Sequence, residues 1–585
     1  MHLLVSLFLG LLYVSSFHAA SAAEYLPQFD ILTKQRPIEP SQQHYYRLDE
    51  ITIDQLHGLF EDGSLTSEVL AYIKRAEEVN EILHAVGEIN PDASAIARAL
   101  DVERTAGSVR GPLHGIPILV KDSMATRDQM NTTSGSYALL GATVTREATV
   151  VTKLRDAGAI ILGKATMGDG GQVLGAYYPQ QDPSGSSSGS AVAVSVGLAL
   201  GSLATETSGS IVLPGERSNI VGIKPTLGLT SRSMVIPISL RQDTVGPMAR
   251  TVKDAAYILS AIVGKDKFDN WTSAQPFEEA PSYVQSCKIS GLKNARLGIP
   301  RNGIDYYLDD SHAPIMAAFE DALQVMSRAG ASVLDDTNFE VFDPPAFDRN
   351  SSIVLDTDFV AGLADYLTRL AKNPNNIRNL DDISRYTKSD PREEYPNRDT
   401  YVWDRELMRN ITNESPESWA AYQANLLMAE EQGVLGVLDK YSLDALIMPT
   451  FASFHLPAIA GLPIVTIPLG FYPAETRSTM NAKGTLVSIA PGVPFGIAFI
   501  GRRWSEETLI SLAFAFEQRT QVRRMRRPLV SPTFELGQRM LKPLNPPDKH
   551  GTRFPSVKES VPQPTLNPSR GKYSRFIYGY FSNLF

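Results

Sequence analysis

Residues 183–190 read Pro-Ser-Gly-Ser-Ser-Ser-Gly-Ser, "PSGSSSGS", five serines interleaved with two glycines behind a proline. Three chemistries suit such a stretch: a flexible linker, a phosphate-binding loop, or a turn that presents a reactive hydroxyl. The linker reading fails on context, because "AVAVSVGLALGSLATETSGS" follows at once and a linker has no place in so apolar a run. A phosphate loop needs Gly-x4-Gly-Lys-Ser/Thr, and here Ser190, not a lysine, follows Gly189. A reactive hydroxyl remains.

Two arrangements could activate it. Gly185-Ser186-Ser187-Ser188-Gly189 has the form Gly-x-Ser-x-Gly, the nucleophile elbow of Ser-His-Asp esterases, with Ser187 as nucleophile. An elbow must follow a strand, and "YYPQQDPS" with its two prolines makes a poor one. Of the downstream histidines His312, His455 and His550, His455 is the candidate partner, yet "FASFHLPAIA" reads equally well as packing. The second arrangement takes Ser186 with Ser210, in "TETSGSIVLP", and Lys121, at the end of "GIPILVKD". Burial strips an ammonium of its hydration and lowers its pKa, so a lysine at a strand end can act as a neutral base. Lysine, serine and serine then form a proton chain that needs no histidine.

The sequence around these residues sets the fold class. From about residue 51 to residue 104 the apolar spacing is helical, as in Val69, Leu70, Ile73 and Ala76, with Thr66 or Ser67 as a cap. "GIPILVKD" reads as a buried strand. "VTKLRDAGAIILGKA" reads as a helix end, a stop at Gly158 and a second buried strand. All-apolar strands alternating with helices predict an α/β fold with helices covering both faces of a sheet, in one very large domain or several smaller ones. The stretch 339–416, richer in Asp, Asn, Pro and Arg, is expected to be helical and peripheral.

Composition narrows the partners. The chain has 585 residues, of which 43% are hydrophobic, enough to build a large core, and a net charge of -9 argues against a nucleic-acid surface. The apolar run from Leu3 to Tyr13 is too short to span a bilayer. With Ala20-Ser21-Ala22 behind it, it predicts a cleaved signal peptide over residues 1–22 and a secreted protein without stable membrane insertion. Sequons at Asn131, Asn270, Asn350 and Asn410 fit that compartment. Cys287 is the single cysteine, so no intrachain disulfide can form. Residues 541–585, rich in Pro, Lys and Arg, read as a disordered tail.

Taken together, these segments resemble the amidase signature family. The resemblance runs over roughly residues 45–525: the amino-terminal helices, "RGPLHGIPILVKDSMATRDQMNTTSGSYAL", "VVTKLRDAGAIILGKATM", the serine region itself, "VGIKPTLGLTSR", and the closing "LDALIMPT", "AGLPIVTIPLG" and "GVPFGIAFIGRRWSEETLISLAFAFEQRT". It implies a single large domain over residues 45–540 with a twisted, mostly mixed sheet covered by helices on both faces, and an amide hydrolase with Ser210 as nucleophile, Ser186 as a bridging serine preceded by a cis peptide, and Lys121 as base. It places an oxyanion hole on the main-chain N–H groups of Thr207, Ser208, Gly209 and Ser210. It implies no metal or organic cofactor, a small-molecule amide as substrate, and an acyl pocket drawing on variable segments such as Asp356–Tyr386. Oligomeric state stays open.

The departures from the family pattern fall in the site. Ser184 and Ser188 stand where glycines are usual, Glu206, Ser208 and Val212 replace Asp, Gly and Arg, and Asn219 replaces another Gly. If the backbone at Ser208 required a glycine-like conformation, its Cβ would introduce about 1 to 3 kcal/mol of strain. An alternative is therefore a catalytically impaired secreted binding or scaffold protein that keeps the fold. Some family members are subunits that release ammonia for tRNA-bound glutamate beside intracellular partners, a role at odds with a secretory leader.

Overall fold

Apolar runs bounded by glycine become strands of one sheet. The structure is a computed structural model that describes residues 47–67, 69–167 and 171–535. The predicted signal peptide and basic tail lie outside the described residues. Fifteen strands follow in order: β1 (Val86–Ile89), β2 (Pro117–Lys121), β3 (Thr143–Val144), β4 (Ile160–Ala165), β5 (Gly201–Glu206), β6 (Val221–Lys224), β7 (Thr244–Ala249), β8 (Arg296–Gly298), β9 (Ser332–Leu334), β10 (Leu370–Lys372), β11 (Ala445–Pro449), β12 (Ile464–Phe471), β13 (Thr479–Met480), β14 (Val487–Ile489) and β15 (Pro494–Ile500). Eleven of them form a mixed sheet in the order β1-β4-β2-β5-β7-β6-β12-β15-β11-β8-β9. The strands β4, β2 and β5 run parallel, as do β11, β8 and β9, and the middle of the sheet is antiparallel.

The predicted strand in "GIPILVKD" is β2, buried at all five positions. Its start is set by Gly115, whose φ of +84° suits glycine and whose missing Cβ leaves room for the side chains of Arg104 and Ser67. Helix Thr149–Asp156 stops before Gly158, at φ +82°, and β4 follows as expected.

The sheet is flanked by helices, and alternate residues of its strands face opposite ways. Ala204 and Met248 join Ala191, Val194, Ile211 and Ile220 in a small cluster beneath the helices Ser188–Ser195 and Val212–Arg217, whereas Leu203 and Val245 belong to the main core. Helix Ser188–Ser195 is buried from Gly189 onward, which fixes the serine stretch to the sheet. The 339–416 region is mainly helical, with helices Pro344–Thr368, Leu380–Ser389 and Tyr401–Met408 and exposed Tyr401 and Met408.

Two local readings need correction. The helical stretch 51–104 is interrupted by β1, which pairs antiparallel with β4. Only Val86 of its four residues is buried, so no apolar alternation marked it. Ser67 directs its hydroxyl and amide to Asp101, at 2.7 Å and 3.1 Å, and spends its capping group there.

Candidate active site

Parallel pairing of β2 with β5 brings the ends of both strands to the same edge of the sheet. Lys121 is the last residue of β2 and is 1% exposed. Its Nζ donates to Ser186 Oγ at 2.7 Å and to the Thr205 carbonyl at 3.4 Å. Burial pushes its pKa down to about 7, while the more distant Asp243 and Glu206 pull the other way. A neutral amine 2.7 Å from a hydroxyl can reverse that bond and accept the proton.

Ser186 follows a cis Gly185–Ser186 peptide, as the family resemblance implied. Just beyond it, a Cβ at Gly189 would meet the Ala85 carbonyl at 2.5 Å and the Thr166 amide at 2.6 Å, so that close approach requires glycine. Ser187 donates its hydroxyl to the Thr205 carbonyl at 3.0 Å, which thus ties the serine stretch and Lys121 to β5. The esterase elbow does not assemble. His455 is stacked on Tyr307 with ring centroids 4.7 Å apart, and burial pushes its pKa down to about 3.

The turn 207–211 holds the main-chain N–H groups that the resemblance named as oxyanion donors. Buried Glu206 accepts the amides of Ile211 at 2.6 Å and Val212 at 3.0 Å, and burial raises its pKa against those bonds. Thr207 donates its hydroxyl to Asp243 at 2.6 Å, and Asp243 also accepts the amides of Ile238 and Ser239. Gln242 Nε2 donates to the Thr207 carbonyl at 3.3 Å. These polar ties leave the amides of Ser208 and Ser210 without a protein acceptor among the described residues. Ser210 is 3% exposed at the end of this turn, and its hydroxyl makes no hydrogen bond to Ser186 or Lys121 among the described residues. The structure therefore joins Lys121 to Ser186 and leaves Ser210 as a buried neighbour in sequence order to the same strand end.

The backbone relocates the strain considered for Ser208. Ser208 has no positive φ, whereas Ser184 sits at φ 61° and Asn219 at φ 57°. Asn tolerates that region, and Asn219 is further held by bonds from its Nδ2 to the Tyr177 hydroxyl and the Arg523 carbonyl, both at 3.1 Å. Val212, in place of the usual arginine, is fully buried. The loop is held instead by Glu206.

A cavity of about 250 Å³ opens beside Ser186 and Ser208. Leu213, Phe451, Phe454 and Phe495 give it apolar walls, and Glu216 and Arg217 add polar groups. No residue of 356–386 lines it, contrary to the expectation for the acyl pocket; the wall comes from later segments, including 451–454 and 481–489. Sequence reasoning missed Asp243, Gln242 and Glu216, which stand in no recognisable motif. Among the described residues no group of three His, Cys, Asp or Glu is placed to hold a metal ion, and no helix is long and apolar enough to cross a membrane.

A sequence profile of the family described as Amidase matches residues 68–510. The chain belongs to the amidase family. A protein of Arthroderma benhamiae assigned as an amidase is 45% identical over 540 residues, covering 86% of this chain and 90% of its own length. One of Arabidopsis thaliana with the same assignment is 36% identical over 507 residues, covering 82% and 92%. Among solved structures, native peptide amidase from Stenotrophomonas maltophilia superposes with a TM-score of 0.72 at 33% identity, covering 83% of this chain and 99% of that one. Amidase-family relatives hydrolyse C–N bonds, and this chain is an amidase-family enzyme of that class.

Proposed function

We propose that this amidase is secreted and cleaves a small-molecule amide through Lys121, Ser186 and Ser210. Ser210 Oγ attacks the carbonyl carbon, its proton passes to Ser186, and the Ser186 proton passes to neutral Lys121. The tetrahedral oxyanion is received by the amides of the 207–210 turn. Collapse breaks the C–N bond as the relay returns a proton to the leaving nitrogen. Water then attacks the Ser210 ester, gives its proton to the same relay, and releases the acid as Ser210 is reprotonated.

The observation that supports this reading most strongly is the buried Lys121 amine bonded to Ser186 at 2.7 Å. The link between Ser186 and Ser210 closes on substrate binding, as catalytic hydrogen bonds commonly tighten only in the complex. The Ser208 and Ser210 amides, without a partner among the described residues, favour the oxyanion assignment, since buried main-chain donors are otherwise nearly always paired.

The apolar leader and the sequons support secretion. Of the four sequon asparagines, Asn270 and Asn410 are exposed, whereas Asn131 uses both ends of its amide, accepting from Gly141 at 3.0 Å and donating to Glu88 at 3.4 Å. Glycans are thus expected on Asn270 and Asn410 before Asn131.

The test is a panel of primary and substituted amides run with wild type and Ser210→Ala. Wild-type turnover should fall by about 10⁴-fold or more in the variant. Equal turnover in both would remove Ser210 from the nucleophile's role, and silence of the wild type on every amide would favour a non-catalytic binding protein. Glycosidase treatment of protein collected from medium tests the compartment.

A further inference from the structure

Helix Pro344–Thr368 lines no part of the cavity, yet an unbroken run of buried hydrogen bonds joins it to the turn 207–211. Asp358, buried on that helix, accepts the Ser239 hydroxyl at 2.6 Å on one oxygen and Arg241 at 2.7 Å on the other. Arg241 in turn donates to the Asn413 carbonyl at 3.0 Å. One helical turn beyond Asp358, Gly362 brings the helix backbone against Pro237: a Cβ there would meet the Pro237 ring at 3.1 Å. The loop 237–243 is therefore held at two points on one helix face.

The same loop holds the turn. The Ser239 carbonyl accepts the amides of Gln242 at 3.0 Å and Asp243 at 2.8 Å, which closes the loop on itself. One oxygen of Asp243 accepts the amides of Ile238 at 2.8 Å and Ser239 at 3.0 Å, and the other accepts the Thr207 hydroxyl at 2.6 Å. Gln242 Nε2 donates to the Thr207 carbonyl at 3.3 Å. Thr207, Ser239, Gln242 and Asp243 are all buried.

The Thr207 carbonyl and the Ser208 amide belong to one peptide unit, and that unit is trans. In a trans peptide the C=O and N–H point in opposite directions. A donor fixed on the Thr207 carbonyl thus sets the direction of the Ser208 N–H, and Ser208 borders the cavity. With its hydroxyl tied to Asp243 as well, Thr207 has little freedom to rotate that peptide plane.

We propose that Asp358 is a positioning residue for hydrolysis: through Ser239, Asp243 and Gln242 it fixes the Thr207–Ser208 peptide plane and so aims the Ser208 amide at the oxyanion. This rests on reading the Lys121–Ser186–Ser210 edge as the site of hydrolysis. Helix Pro344–Thr368 then acts on the reaction without lining the cavity.

The test compares wild type, Asp358→Ala, Ser239→Ala and Asp358→Asn on the fastest amide of the panel, and on the trifluoromethyl ketone of the same acyl group, whose adduct with Ser210 carries the oxyanion. In both alanine variants kcat should fall about tenfold or more with KM within about twofold of wild type, because a misaimed oxyanion donor is felt in the transition state and not in the bound amide. Affinity for the ketone should fall by the same factor, while affinity for the product acid stays unchanged. Asp358→Asn should recover most of the loss, since its amide can donate to the Ser239 hydroxyl and accept from Arg241. Thermal midpoints identify variants that are folded, and Ser239→Ala, which removes a single hydroxyl, carries the test should Asp358→Ala fail to fold. Wild-type kcat in either folded alanine variant, a loss confined to KM, or equal losses of acid and ketone affinity would overturn the proposal. An inert Ser210→Ala beside an Asp358→Ala of wild-type kcat would fault this inference alone, whereas turnover retained in Ser210→Ala would fault the hydrolysis reading. A wild type that neither turns over amides nor binds the ketone would overturn both.

Discussion

Two lysines are buried on adjacent strands of the same sheet, one residue apart in register. Lys164 of β4 stands opposite Val120, and Lys121 of β2 stands opposite Ala165. Both are almost fully shielded, at 2% and 1% exposure. Lys164 meets what an ammonium requires: the Met124 carbonyl and the Thr132 hydroxyl, each at 2.7 Å, and Asp122 at 4.0 Å. Lys121 meets a hydroxyl and a distant carbonyl, and no carboxylate pairs with it among the described residues. Burial is common to the two; the partners differ. Where a site withholds the counter-charge a buried lysine can serve as a base, the role proposed for Lys121; where the site supplies it, the lysine can serve as a strut.

That contrast is open to direct attack. The largest expected effect is on Lys121→Ala, which should lower kcat by about 10⁴-fold while the thermal midpoint stays near that of the wild type. An active Lys121→Ala would end the distinction. Lys164→Met should do the reverse: it leaves Asp122 buried without its cation and should cost about 3 kcal/mol in urea unfolding. An equal loss of stability in the two variants would show that both lysines are structural.

Acidity provides a milder probe. The Lys121 pKa is lowered to about 7, so the amine is neutral above that value and protonated below it. The protonated form cannot take the Ser186 proton, and kcat/KM should fall about tenfold per pH unit below the midpoint. A pH profile flat from weakly acid to alkaline conditions would contradict an amine base. The smallest effect concerns Ser184, held at φ 61°. Ser184→Gly should stabilise the fold by about 1 kcal/mol, read as a higher denaturant midpoint.

Much of this was legible in the residues themselves. "GIPILVKD" and "AIILG" declared their strands because every side chain is buried, and the family pattern led to Lys121, Ser186 and Ser210. β1 was hidden because a short edge strand with one buried residue has no period to read. Asp243 was hidden for a different reason. Its value lies in a hydrogen bond to Thr207, 36 positions away, and in the two amides it gathers, which only the folded chain brings together. The position of Glu216 was likewise silent, because it lines a cavity built in part from residues beyond 450.

The glycines and serines of residues 183–190 divide by what surrounds each Cα. Position 189 is wedged against Ala85 and Thr166 and admits no further atom, whereas Ser184 and Ser188 border the cavity. Two additional hydroxyls have entered on the wet side of the loop and none on the packed side. Measured against the pattern the resemblance supplies, the loop is redecorated on its cavity face and keeps its glycine where the packing beneath it leaves no room.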